Sequence, residues 1–304
     1  MNLNPPMVKF RVVSLLAGLA AAALAGAAEN SNSPVRLPDV TVLGQMLPVT
    51  SEEQRIGAYD QPEWTQHRRF PTTRVFVQKQ PGEFGFEQWW RGRFKRDGTQ
   101  EHKLQSEVEI GLPKRFQLDL YENLLGDEHG RFNHLSRAVE LRWALADWGK
   151  LSLNPTLYGE WQFANHRLQA DTWEVKLLLG EELAPRWHWG LNLIYEQEAG
   201  HNRATEVAWS QGVSYTFIDQ KLSGGLEMRF AHESEKGNRS QPEITYMLGP
   251  SLQWRMCPRT HLDLVNLFGI TKDAPKVEAF LVFSLDLGGV KGSGRYVPAS
   301  LKSQ

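Results

Sequence analysis

The chain has 304 residues and a formal net charge of −1 at pH 7, with 34 lysines and arginines against 35 aspartates and glutamates. This balance excludes the basic surface of a nucleic-acid-binding protein and gives no reason to expect a polyanionic partner. The single cysteine, Cys257, excludes a disulfide framework and a zinc site built from cysteines.

The first 28 residues have the layout of a cleaved signal peptide. Lys9 and Arg11 give a positive start, residues 12–24 are apolar, and Ala25-Gly26-Ala27 is a small-residue cleavage pattern. The apolar stretch is shorter than the roughly 20 residues that a transmembrane helix needs. Residues 1–28 are therefore predicted to direct export, and no cysteine follows the cleavage site to carry a lipid anchor.

Residues 29–80 are predicted to form an irregular, extended periplasmic segment, because prolines interrupt them and their apolar residues show no sustained alternation. Within them, Asp39, Val40, Thr41 and Val42 resemble the TonB box, which receptors of that class present to a periplasmic partner as an added strand. Those receptors also carry a large plug domain, for which this segment is too short. We therefore expect an extended linker, with contact to TonB as the alternative.

Between residues 84 and 287 the apolar residues recur at every second position. Leu118 and Leu120, for example, alternate with Gln117 and Asp119. The pattern repeats in about twelve segments of about ten residues, the length that a tilted strand needs to cross a bilayer. The sequence therefore predicts an all-β protein, a transmembrane antiparallel up-and-down β-barrel of about 12 strands.

The connections between the predicted strands are alternately longer, as at residues 233–241, and shorter, as at residues 184–185. Outer-membrane barrels carry long loops outside the cell and short turns in the periplasm. This assignment places both ends of the barrel in the periplasm. We therefore expect the barrel to occupy residues 81–288 and a periplasmic tail to occupy residues 289–304.

Several of the 11 tryptophans, among them Trp90, Trp143 and Trp161, fall on the apolar face near predicted strand ends. This placement is typical of the aromatic girdles of membrane barrels. A soluble barrel or sandwich is the alternative, but it would need charge outside and the apolar face within. The sequence therefore predicts the bacterial outer membrane as location, with membrane lipid and the barrel-assembly machinery as partners.

The charged residues on the opposite face of these strands are predicted to line the lumen. Rings of charge tune ion selectivity in pores, but both signs occur here, so no strong preference follows. A barrel can also seal itself with such ion pairs. We expect a narrow or gated pore, with a sealed lumen as the alternative. The predicted lining residues are Glu87, Arg91, Arg93, Glu107, Glu109, Asp119, Glu140, Arg142, Glu160, Glu174, Lys176, Glu196, Glu227 and Arg229.

Four stretches carry a resemblance to a known family: 83–90 (EFGFEQWW), 107–121 (EVEIGLPKRFQLDLY), 248–252 (LGPSL) and 267–270 (LFGI). They resemble a broad family of exported bacterial barrels, the outer-membrane channels of the phenol-degradation (MetA-pathway) type. The resemblance implies a channel or transporter-like barrel for small compounds, aromatic ones included. It implies no catalytic residues.

An enzyme is the first rival hypothesis. His232-Glu233-Ser234 resembles the His-x-Ser arrangement of outer-membrane phospholipase A, in which the histidine takes a proton from the serine. The longer motif has Asn-Gly directly after the serine, and Glu235 and Lys236 stand there instead. We therefore expect no enzyme and keep His232 and Ser234 as the alternative catalytic pair.

No cofactor or metal site is predicted. None of the nine histidines forms a helical His-x-x-x-His pair, and no glycine-rich phosphate loop is present. A closed barrel with a structural or binding role is the second rival hypothesis. The sequence thus indicates a membrane barrel and leaves its cargo open.

Overall fold

The computed structural model describes residues 50–126, 130–200 and 203–287, and these form a closed antiparallel barrel with an irregular segment before it. The segment contains two paired two-residue strands, β1 (Arg55–Ile56) and β2 (Gln61–Pro62). The barrel strands are β3 (Phe84–Phe94), β4 (Gln100–Leu112), β5 (Phe116–Gly126), β6 (Phe132–Ala144), β7 (Thr156–Ala164), β8 (Thr172–Ala184), β9 (Trp187–Glu198), β10 (Thr205–Ile218), β11 (Leu222–Ser234), β12 (Glu243–Cys257), β13 (Thr260–Gly269) and β14 (Val277–Leu287).

Each barrel strand pairs with its neighbours in the sequence, and β14 pairs with β3 to close the ring. In that closing pair Val277 lies opposite Phe94, and Leu287 lies opposite Phe84. Closure leaves no strand edge without hydrogen bonds, which a bilayer requires. The predicted all-β, up-and-down barrel of twelve strands is confirmed.

The two faces of the barrel wall follow the period of two. Leu157, Leu193 and Val207 point outward and are 44%, 47% and 54% exposed, whereas Glu107 and Asp119 point inward and are fully buried. An apolar exterior around a charged interior is the reverse of a soluble barrel and is typical of a transmembrane barrel. The interior is therefore the place to look for function.

One predicted strand boundary was wrong. Leu151 and Leu153 continue the apolar alternation, and the sequence predicts that they belong to a strand ending near Trp161. In the structure β7 begins at Thr156, and residues 145–155 form a long turn in which Leu153 has a positive φ of 62°. Trp148 of this turn is buried against the irregular segment, which explains why the chain leaves the wall here.

The segment before the barrel is the main difference from expectation. Residues 29–80 are predicted to be periplasmic, but their described part, from residue 50, lies within the barrel. Trp64, Phe70 and Val77 of this part are at most 1% exposed. Prolines and missing alternation indicate an irregular path, but they do not indicate which surface covers it.

The helices of the described residues are two 3₁₀ helices, Ser51–Glu53 and Glu63–Gln66. No described helix is long and apolar enough to span a membrane. The signal peptide, the TonB-box-like residues and the tail at residues 289–304 lie outside the described residues, so these three expectations stay predictions.

Candidate functional site

The barrel has two distinct ends. The turn end carries the connections at residues 113–115, 145–155 and 185–186, and the loop end carries connections such as residues 95–99 and 235–242. The 11-residue connection 145–155 is an exception among the turn-end connections, which are otherwise short. We call residues 50–83 the lumenal segment, because they run through the half of the barrel next to the turn end. The other half of the lumen, next to the loop end, lies beyond this segment.

All the predicted lining residues point inward, and the lumenal segment divides them into two sets. The first set surrounds the segment and comprises Glu87, Glu107, Glu109, Asp119, Glu140, Arg142 and Glu227. The second set faces the loop-end half and comprises Arg91, Arg93, Glu160, Glu174, Lys176, Glu196 and Arg229. The alternation in the sequence thus indicated which residues point inward, but it did not reveal that half of them contact the lumenal segment.

Glycines of three neighbouring strands make room for the segment. A Cβ atom at Gly212 would lie 2.5 Å from the ring of Phe70, and one at Gly190 would lie 2.6 Å from the side chain of Val75. A Cβ atom at Gly180 would lie 2.3 Å from the side chain of Val75. Any larger residue at these inward positions would collide with the segment, so the wall is shaped to receive Phe70 and Val75.

An aromatic cluster holds the segment at the turn end. Trp64 and Phe76 of the segment pack edge-on against Trp148 of the long turn, with ring centroids 5.7 and 5.3 Å apart. Trp64 also stacks on His188 of β9 at 4.5 Å. Edge-to-face pairs of this kind add to the burial of apolar surface, so the long turn and the segment stabilise each other.

The backbone of the segment is hydrogen-bonded by side chains of the wall. Asn192 accepts a bond of 2.8 Å from the N–H of Arg74 and donates one of 2.7 Å to its carbonyl. Gln117 accepts bonds from the N–H groups of Gln78 and Lys79. A buried extended chain needs partners for its backbone groups, and the inward polar residues supply them.

Three cations of the segment meet an acidic patch of the wall. Arg68 donates to Glu87 at 2.8 Å and stacks on Trp89, and Arg74 donates to Glu107 at 2.8 Å. The third cation is Lys79, whose ammonium nitrogen lies 3.1 Å from Glu109 and 2.5 Å from Asp286. The close carboxylates Glu87, Glu107 and Glu109 are thereby neutralised by the segment.

The wall adds one cation of its own to this patch. Arg142 contacts Asp119 and Glu140 and donates to the side chain of Gln78 at 2.9 Å. Buried ion pairs of this kind gain little over apolar packing, but removing one partner costs about 3–5 kcal/mol because the other charge stays buried. The segment therefore occupies the turn-end half of the lumen and supplies cations to its acidic patch.

Arg68, Arg74 and Lys79 were missed by the sequence reasoning. Their signal was a set of basic residues in a proline-rich stretch that precedes a barrel whose inner face is rich in acids. Charge complementarity between the stretch and the inner face could have suggested contact.

Glu53 anchors the start of the segment and gives a pH prediction. Burial alone would raise the pKa of its carboxyl, but the imidazole of His188, 3.6 Å away, and hydrogen bonds from the N–H groups of Arg186 and Thr50 outweigh it and lower the pKa to about 2. The stabilisation is therefore present above the ordinary pKa of 4.5 and is lost as the pH falls toward 2. We expect pepsin to cleave the segment increasingly fast over this interval.

The variant Glu53→Gln should abolish most of this pH dependence, because it has no carboxyl to protonate. The control is Asp60→Asn, an exposed acid of the same segment. Cleavage rates are divided by those of an unfolded substrate at each pH. Equal pH profiles for Glu53→Gln and the unsubstituted chain would contradict the prediction.

The loop-end half of the lumen holds a cavity of about 280 Å³ whose floor includes Thr72 and Arg74 of the segment. Its aromatic lining comprises Trp89, Tyr121, Tyr158 and Phe280. It shares Arg229 and Glu278 with a second cavity at the loop end. The lumen is thus accessible from the loop end as far as the segment.

Charges in the loop-end cavity are only partly paired. Lys176 lies 2.6 Å from Glu174, and Arg91 contacts Glu278. Within the described ranges, neither Lys103 nor Glu196 takes part in an ion pair, although both line this cavity. The cavity therefore offers a free cation, a free carboxylate and aromatic surface to a small solute.

The alternative catalytic pair lies on the outward face of β11, near the loop end. His232 is flanked by Val207 of β10 and Ile244 of β12, and Ser234 is paired with Thr205. Neither strand neighbour of His232 is a carboxylate or amide that could orient its ring. In the part of the chain that the structure describes, no hydrogen bond joins His232 to Ser234.

Comparison with known proteins finds likeness in structure and none in sequence. No protein-family model and no curated protein matches the chain. An outer membrane channel from Pseudomonas putida F1 is 8% identical, with a TM-score of 0.50 over 70% of this chain and 98% of that one. The NanC porin has 12% identity and a TM-score of 0.47 over 68% of this chain and 100% of that one.

A porin that was solved in complex with disordered oligogalacturonate, KdgM, has 9% identity and a TM-score of 0.43 over 67% of this chain and 99% of its own. At such identities the likeness concerns the fold alone. The predicted resemblance to outer-membrane channels is confirmed at that level. The chain has the fold of the bacterial outer-membrane β-barrels of the channel type.

Proposed function

We propose that this chain is a gated channel of the bacterial outer membrane, closed by its own lumenal segment, for a small solute. One observation carries the proposal: the loop-end half of the lumen is accessible, and a single non-covalently held segment fills the other half. A barrel with a purely structural role would need neither the accessible half nor wall glycines shaped for a removable segment.

The lining of the loop-end cavity supports a solute class. Trp89, Tyr158 and Phe280 contribute aromatic surface, and the basic side chains of Arg68, Lys176 and Arg91 each lie over one of these rings. Lys103 and Glu196 contribute an amino group and a carboxyl group outside the ion pairs of the described residues. We propose a small aromatic solute that carries a charged group. Its ring would stack in the cavity, and its charge would replace water around Lys103 or Glu196.

Conductance in a planar lipid bilayer tests the channel. The detergent-folded protein should show infrequent discrete steps, because the segment must move before ions pass. Folding is checked independently by heat-modifiable migration on a gel. Continuous silence with folding confirmed would contradict the proposal and favour a closed structural or binding barrel.

The variant Lys103→Glu gives a second prediction. It removes one of the two lysines that face Glu160 and Glu196 and leaves Lys176, so cation permeability should rise relative to anion permeability, whereas Glu196→Lys should shift the ratio the other way. The readout is the reversal potential across a salt gradient. The control Lys150→Glu changes an exposed turn residue and should leave that potential unchanged. Equal potentials for all three variants would place the ion path elsewhere.

A further inference from the structure

Two histidines and an aspartate converge where the lumenal segment meets β13 and β14. Nδ1 of His67 lies 3.1 Å from Oδ2 of Asp286, and the rings of His67 and His261 have centroids 5.4 Å apart. One nitrogen of each ring and one oxygen of Asp286 all lie within 4.8 Å of one another. The three side chains thus aim donor atoms at a common point.

These donor atoms are buried and have no hydrogen bond. They are Nδ1 of His67, Nε2 of His261 and Oδ2 of Asp286, and both carboxylate oxygens of the adjacent Asp263 share this state. The side chains of His261 and Asp263 are at most 2% exposed. Nδ1 of His67 faces Oδ2 of Asp286 at 3.1 Å, and Nε2 of His261 faces Oδ2 of Asp263 at 3.2 Å, but neither pair has hydrogen-bond geometry. A buried polar atom that lacks a hydrogen bond costs about 1–3 kcal/mol, so several in one place favour a common partner for all of them.

The donor set selects a class of ion. Two imidazole nitrogens with a carboxylate occur in zinc sites and in non-haem iron sites, whereas calcium and magnesium prefer oxygen ligands alone. Asp263 adds an oxygen 3.2 Å from Nε2 of His261, within reach of a fourth position. Lys79 contacts the other oxygen of Asp286, Oδ1, so Oδ2, which faces His67, is the oxygen that an ion would bind.

The geometry needs little adjustment to hold zinc. Two ligands on one zinc ion, each bound at about 2.1 Å, lie at most about 4.2 Å apart. The observed group, with all atoms within 4.8 Å, reaches this by small rotations of the side chains. His261 and Asp286 lie on adjacent strands, so the wall fixes two of the ligands, and the segment brings the third.

We propose that His67, His261 and Asp286 bind a zinc ion that fastens the lumenal segment to the barrel wall. Spacing along the sequence could not reveal this site, because its ligands come from the segment and from two different strands. The site does not depend on the proposed channel function, since zinc binding is measurable on the folded barrel whether or not it conducts.

Titration of the folded, tag-free protein with Zn²⁺ in a calorimeter at pH 7.5 tests the proposal. We expect one ion per chain, and the variants His67→Gln, His261→Gln and Asp286→Asn should each weaken binding by about tenfold or more. The variant His67→Cys should retain binding because a thiolate also ligates zinc. The control His166→Ala removes an exposed loop histidine, 75% exposed, and should bind as the unsubstituted chain does.

Hydrogen exchange supplies a second readout that a folding defect does not imitate. Zinc should slow exchange of the backbone amides next to His67 in the unsubstituted chain and leave them unchanged in His67→Gln. The variants must migrate as folded barrels on a gel. Absence of binding, binding that His67→Gln and His261→Gln leave intact, or binding lost equally in His166→Ala would overturn the proposal.

Discussion

A chain that carries both Arg68→Glu and Arg74→Glu is expected to form an open, cation-preferring pore. Each substitution places a carboxylate beside Glu87, Glu107 or both, where the unsubstituted chain has an ion pair. Like charges in a buried site repel strongly, and each lost partner costs about 3–5 kcal/mol. The segment should therefore leave its place along the acidic patch, while the strand pairing of the wall is unchanged.

The emptied lumen would then be acidic. Glu87, Glu107, Glu109 and Asp286 lose the cations that neutralise them, and Arg142 remains as the wall's own positive charge in the patch. A cleft lined by one sign of charge raises the local concentration of counter-ions by about tenfold or more. We expect cations to be preferred by about this factor at low salt, and the preference to shrink near 1 M salt, where the screening length is about 3 Å.

Single-channel recording with a salt gradient measures both effects. The matched control is Lys150→Glu with Lys221→Glu, which changes the net charge equally at two exposed turn residues. A chain without residues 50–80 provides a second open variant that carries no new acids. If both variants fold and stay as closed as the control, the segment is not the gate.

The twelve-stranded wall was predictable because its physics is local. A lipid-facing strand needs an apolar residue at every second position, and this pattern recurs throughout residues 84–287. The inward direction of residues such as Glu107 and Arg142 follows from the same period. Leu151 and Leu153 fit the same alternation but do not belong to a strand, so the predicted strand boundary was wrong there. The neighbouring Trp148 packs against the lumenal segment, and this tertiary contact determines the backbone conformation of the turn.

The lumenal segment was not predictable in the same way. An irregular chain has no period, and its position depends on side chains far away in the sequence, such as Asn192 with Arg74 or Gly212 with Phe70. The zinc ligands share this property, since His67 and His261 meet only after the barrel has closed. Local patterns thus predicted the wall, whereas the position of the lumenal segment depends on contacts between two surfaces that are distant in the sequence.

The variant Phe70→Ala is expected to weaken the docking of the lumenal segment on the barrel wall. Phe70 is fully buried, and its ring lies over Gly212 in a recess of the wall. Removing a buried phenylalanine ring costs about 3–5 kcal/mol. In the unsubstituted chain the amide of Arg74 is hydrogen-bonded to Asn192, and we expect docking of the segment to protect this amide from exchange. Its hydrogen exchange should therefore quicken by about two to four orders of magnitude.

The variant Gly212→Ala should also weaken the docking of the segment, because it adds atoms to the recess instead of removing them. Its new methyl group would lie 2.5 Å from the ring of Phe70, and overpacking of this kind costs about 1–3 kcal/mol. Two controls match these changes on the outer surface. Phe84→Ala removes a ring that is 45% exposed, and Gly159→Ala adds a methyl group with no atom within 4 Å. Neither control should alter exchange at Arg74.

The double variant Phe70→Ala with Gly212→Ala distinguishes contact from general loosening. The methyl group introduced at position 212 would occupy part of the space that the ring of Phe70 vacates. The free-energy costs of the two substitutions should therefore not add. The amide of Arg74 should exchange more slowly in the double variant than the sum of the two single effects predicts. A coupling of about 0.5–3 kcal/mol is usual for residues in contact. Strict additivity would mean that Phe70 does not sit over Gly212, and the recess would then have no part in holding the gate closed.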